Sequence, residues 1–146
     1  MCVGKGAMRK ATLMLLLAVV SNSAMAEWIK IGSINDEETF YCNPTSIIRG
    51  GDRVKMSCLH DYNEAQIRPY EGMQDLPFLS TLDQREYDCK AEQFIILNHS
   101  YYSGNMASGD VVFSYNDPGE WIPIIHDGIG EKQLKIACKR WYQFWK

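Results

Sequence analysis

The chain holds one apolar run of any length, and that run is short. Thr12 to Val20 spans about nine residues, where a bilayer crossing needs about 20. No second run approaches it, so nothing further along reads as a membrane helix. Lysines and arginines form no cluster, which argues against nucleic acid and anionic membrane surfaces as partners. There is no C-x-x-C and no Cys/His grouping at zinc spacing, which excludes a thioredoxin-like redox site and a structural zinc. G-x-S-x-G, H-E-x-x-H and a phosphate loop are all missing. His60, His99 and His126 stand far apart in sequence, none with a nucleophile or ligand at diagnostic spacing. No cofactor or metal is expected. Internal repeats, low-complexity tracts and Pro/Ser-rich linkers are also lacking, so the chain offers no internal boundary.

What is present begins with an export signal. Lys5, Arg9 and Lys10 precede the apolar run, Ser21-Asn22-Ser23 follows it, and Ala24-Met25-Ala26 offers small residues for cleavage. Residues 1–26 therefore read as a signal peptide and 27–146 as the mature domain. Met1 and Met8 are both candidate starts. Cys2 lies before the apolar run, where a lipobox cysteine cannot stand, so the exported product is expected to carry no lipid: periplasmic, cell-surface or secreted. Cleavage removes three basic residues and no acid, taking the formal charge from −3 to −6. The remaining length suits one domain.

Four cysteines remain after cleavage, Cys42, Cys58, Cys89 and Cys138. An even number in a short exported chain reads as a disulfide framework with three possible pairings. Arg49-Gly50-Gly51-Asp52 is a hairpin turn, because glycine tolerates the positive φ that tight hairpins need. After it Val54, Met56 and Cys58 face one way and Arg53, Lys55 and Ser57 the other. A loop centred on Gly50-Gly51 sets residues whose numbers sum to about 100–102 opposite each other. Cys42 and Cys58 satisfy this, and opposed Cβ atoms come within disulfide reach. Cys42–Cys58 is the preferred bridge, which leaves Cys89–Cys138.

The rest reads mostly as short strands: Trp28 to Ile34, Thr39 to Asn43, Leu79 to Asp83, Arg85 to Leu97, Asp110 to Tyr115 and Trp121 to Ile125. Arg85 to Leu97 is taken as the longest, with a bulge or two-sided burial in Phe94-Ile95-Ile96-Leu97. Residues 63–78 read as an irregular surface excursion, and Asp61, Asp83, Glu86 and Asp88 as solvated strand faces. From Gly130 the period changes. Leu134, Cys138, Trp141 and Trp145 fall on one helical stripe, and Glu131 with Lys135 makes an i,i+4 pair. The expected fold is α+β: a single antiparallel sheet of about six strands packed against a C-terminal helix and stapled by disulfides.

Several residues resemble the surface-adhesin protein E family of Gram-negative bacteria: Trp28-Ile29-Lys30-Ile31, Phe40-Tyr41, Ser46-Ile47, Tyr87-Asp88-Cys89, Tyr101, Met106 to Gly109, Trp121-Ile122-Pro123-Ile124 and Leu134 to Cys138. The resemblance covers nearly all of the mature chain. It implies an antiparallel sheet on a C-terminal helix and a disulfide matching Cys89–Cys138. It also implies surface display, binding of host matrix and plasma proteins, and dimerisation. This chain departs from it in lacking a lipobox and in the added Cys42–Cys58 pair.

These readings point to an exported, non-catalytic, adhesin-like protein that binds host matrix, plasma or envelope proteins. It would present the 63–78 and 99–109 loops and the aromatic tail Trp141, Tyr142, Phe144 and Trp145. Tyr and Trp carry binding energy at interfaces, although Trp141 and Trp145 also extend the stripe that finishes the core. The alternative is a periplasmic accessory or stress-related protein without a host ligand. A hydrolase would require His60 or His126 to line a pocket with a carboxylate.

Overall fold

The computed structural model describes residues 27–67 and 75–139. Among these residues seven strands and one α-helix follow in order, with a single 3-10 turn (Asn105–Ala107) between the fifth and sixth strands: β1 (Ile29–Ile34), β2 (Glu38–Gly50), β3 (Arg53–Gln66), β4 (Phe78–Asp88), β5 (Gln93–Tyr102), β6 (Val111–Tyr115), β7 (Ile122–Pro123) and α1 (Ile129–Ala137). β1 to β6 form an antiparallel meander in chain order, and β7 pairs with the opposite end of β5 from β6. This is the α+β architecture the sequence implies.

The long central strands come from strict alternation. In β3, Val54, Met56 and Cys58 are buried, while Arg53 and Lys55 turn outward to Glu86 and Asp88 of β4. Those ion pairs join residues directly opposite or diagonal across the ladder, as cross-strand neighbours should. The inner face of the sheet meets α1 through Leu134, Ala137 and Cys138. They pack on Ile31, Phe40, Cys42, Val54, Met56, Cys58 and Tyr87. Arg49 of β2 donates to the Ala137 carbonyl at 2.7 Å, satisfying one of the acceptors a helix leaves open at its C-terminus. Glu131 and Lys135 pair at 2.7 Å on the outer side.

Two disulfides hold this arrangement. Cys42 and Cys58 are direct cross-strand partners, and Cys89 is bonded to Cys138 at the end of α1. The hairpin reaches the first pairing by a different path from the one expected. Gly50 pairs with Arg53, so the turn is Gly51-Asp52, with Gly51 at φ +64°. Four residues of β2 between Asn43 and Ile48 then oppose Met56 alone, which shifts the register back to Cys42 opposite Cys58. Ser46 makes the bulge possible: its hydroxyl donates to the Asn43 carbonyl and accepts the Ser57 N–H.

Three expectations need correction. Residues 85–97 are not one strand but the arms of a hairpin, β4 and β5, with Cys89 in the turn. Asp88 Oδ1 accepts the N–H groups of Lys90 and Ala91, and Glu92 takes φ 51°, so an Asx turn reverses the chain without glycine or proline. Cys89 therefore ties the helix to a turn. The strand after the first hairpin continues to Gln66, so the excursion is shorter than 63–78, and residues 68–74 within it lie outside the described residues. β5 carries through Tyr102, which reduces the 99–109 loop to its second half. The irregularity in Phe94 to Leu97 is a bulge, with Ile96 opposite Arg85 and Asn98 opposite Gln84.

Candidate functional site

α1 covers only part of the inner sheet face. Past its N-terminal turn no described residue covers the same face, and there the alternation places Phe40, His60, Tyr62, Thr81, Asp83, Arg85, His99, Tyr101 and Tyr115 around a cleft of about 410 Å³. Cross-strand register explains the company. Phe40, His60, Thr81 and Tyr101 lie in one row across β2 to β5, and Cys58, Asp83, His99 and Tyr115 in the next across β3 to β6.

Asp83 is the centre. It is only 1% exposed, and its Oδ2 accepts from Arg85 Nη2 at 2.5 Å and Nε at 3.1 Å, while His99 Nδ1 faces its Oδ1. Burial alone would push the Asp83 carboxyl up. Arg85, then His99 and His60, overcome this and hold it well below the usual carboxylate range. Arg85 is buried as well, and although desolvation opposes its charge, Asp83 raises its pKa further.

The other donors of Arg85 run to the walls. Nη1 donates to Gln133 Oε1 of α1 at 2.9 Å, and Nη2 lies 2.8 Å from His60 Nε2. Guanidinium can only donate, so His60 Nε2 accepts and the ring proton sits on Nδ1, 2.9 Å from Glu38 Oε1. The chain Glu38–His60–Arg85–Asp83–His99 thus fixes both histidines. Phe40 packs on the His60 ring, and Tyr101 and Tyr115 pack on that of His99. Arg85 stands where a cation shared by His60 and Asp83 would have to sit. No group of metal-binding side chains occurs among the described residues.

The structure thus brings together His60 and His99, two residues 39 positions apart in the chain. His60 lines a cleft with carboxylates, the geometry a hydrolase would require. His126 lies elsewhere, exposed near Glu92 and Glu131. Asp83 is no solvated strand residue, and Arg85, which no motif marks in the sequence, is a buried member of the same site. Trp141, Tyr142, Phe144 and Trp145 lie outside the described residues. A second concavity, about 430 Å³ and mostly apolar, runs beside α1 between Ile34, Phe94, Ile122, Ile125 and Ile129.

The family model described as surface-adhesin protein E matches residues 28–139, which is nearly the whole described fold. The chain belongs to the surface-adhesin protein E family. A structure of Haemophilus influenzae protein E superposes with a TM-score of 0.58 at 11% identity, covering 82% of this chain and 89% of that one. A second crystal form of the same protein gives 0.56 at 11% identity over 70% and 82%. Protein E from non-typeable Haemophilus influenzae gives 0.55 at 11% identity over 78% of both chains. At this identity the likeness is one of fold. No curated protein sequence matches. Membership in an adhesin family supports an adhesin-like surface protein, and among the described residues no helix is long and apolar enough to cross a membrane.

Proposed function

We propose that the chain is an exported, non-catalytic binding protein that captures host extracellular-matrix, plasma or envelope proteins on the open inner face of its sheet. The observation that carries this reading is how the cleft's ionisable groups are held. His60 accepts from Arg85 at one nitrogen and donates to Glu38 at the other, and all four cysteines of the described fold are in disulfides. A general base needs an open nitrogen within reach of the proton it removes. His60 Nε2 is closed by a donor that cannot give up its charge. The cleft is a rigid array of polar and aromatic groups, which suits recognition.

Kinship supports the adhesin role, and the signal-like leader supports export. A homodimer is compatible with the same surface and is read out by ultracentrifugation. Cell fractionation tests the proposal together with a pull-down by the exported product against plasma, matrix and envelope fractions. Protease-sensitive display on intact cells with capture of a host protein is the expected result. Release by osmotic shock with no host protein captured would favour a periplasmic accessory role instead.

A further inference from the structure

Thr81 is 2% exposed, lines the cleft, and its hydroxyl has no hydrogen-bond partner among the described residues. A buried hydroxyl left unpaired destabilises a fold, so such a group is unusual and points to something that pairs with it. The neighbours say what that is. Arg85 has spent its donors on Asp83, His60 and Gln133, so it offers little to an incoming anion. The fixed charges are two carboxylates, Glu38 and Asp83, against that one guanidinium. Phe40, Tyr62, Tyr101 and Tyr115 supply ring surface, which attracts cations electrostatically and packs against aliphatic stems.

Resting on the protein-binding reading above, we propose that the cleft takes a primary ammonium on an aliphatic stem, as a lysine side chain of the partner presents it. Thr81 Oγ1 accepts one of its N–H bonds, Glu38 supplies the counter-charge, and the aromatic rings sheathe the stem. A metal ion is disfavoured by Arg85 lying between His60 and Asp83.

Calorimetric titration of the exported protein tests this, with three probes: Nα-acetyl-lysine methylamide, its uncharged norleucine analogue and n-butylammonium. The lysine derivative binds saturably and the norleucine analogue does not. Thr81→Val weakens binding about fivefold, the size of one lost hydrogen bond, and raises the thermal midpoint, because it removes an unpaired buried hydroxyl. Loss of binding through damage to the fold would lower the midpoint instead. Glu38→Gln weakens binding by about tenfold or more. Equal binding of the norleucine analogue, or unchanged binding by Thr81→Val, overturns the inference. Tighter binding of n-butylammonium than of the lysine derivative overturns a protein side chain as the source. Absence of ammonium binding beside intact protein capture sinks this inference and leaves the function reading standing. Ammonium binding without any protein captured does the reverse.

Discussion

Asp83 and Arg85 form the most consequential contact at the scale of single residues. Both are buried, so each is tolerable only while the other is present. Asp83→Asn removes the counter-charge and leaves the guanidinium in the interior, at a cost of about 3–5 kcal/mol in urea unfolding. The same pair sets a pH response. Because the folded-state pKa of Asp83 is depressed, its stabilisation is complete above about pH 4, the ordinary carboxylate value, and is lost as pH falls from there. The urea midpoint should drop between pH 5 and pH 2, and Asp83→Asn should flatten that slope. This centre was partly legible. Tyr87 and Cys89 share a parity, and continuing it upstream puts Arg85, Asp83 and Thr81 on the core face. The charges themselves argue the other way, since Asp and Arg on a strand are usually solvated. What brought His99 within reach was the β4–β5 register, which depends on a bulge at Leu97 and cannot be read from spacing.

Among the elements, the Gly-Gly hairpin was legible because glycine is the chemical requirement of the turn. The β4–β5 turn was not. Its sequence, Asp88-Cys89-Lys90-Ala91-Glu92, looks like continued alternation, and the reversal rests on a single side-chain oxygen accepting two N–H groups. Asp88→Ala should therefore cost about 1 kcal/mol or more, since Asp88 also pairs with Arg53. The helix is secured twice, by Arg49 at the Ala137 carbonyl and by Cys138. Replacing Cys89 and Cys138 together by serine opens a tie across 49 residues and should cost about 4 kcal/mol by chain entropy. The Cys42–Cys58 pair closes only 16 residues, and its loss should cost about 3 kcal/mol. Denaturant melts of the two double variants check both the sizes and their order.

Among the described residues the molecule is an antiparallel meander with one face partly roofed by a helix, and its polar chemistry gathers on the part of that face the helix does not cover. The sheet, helix and staples follow from alternation, period and cysteine count. The cleft follows from where the helix begins, at Ile129, beyond which the described helix gives the inner face no cover. Binding by the cleft face is the claim on which the account turns, and immobilised exported protein measures it directly in plasma and matrix extracts. Wild type should capture a saturable partner, Lys90→Ala on the distant β4–β5 turn should do so equally, and Glu38→Gln should lose about tenfold or more in affinity. Equal capture by all three proteins would contradict the account, as would no capture by the wild type.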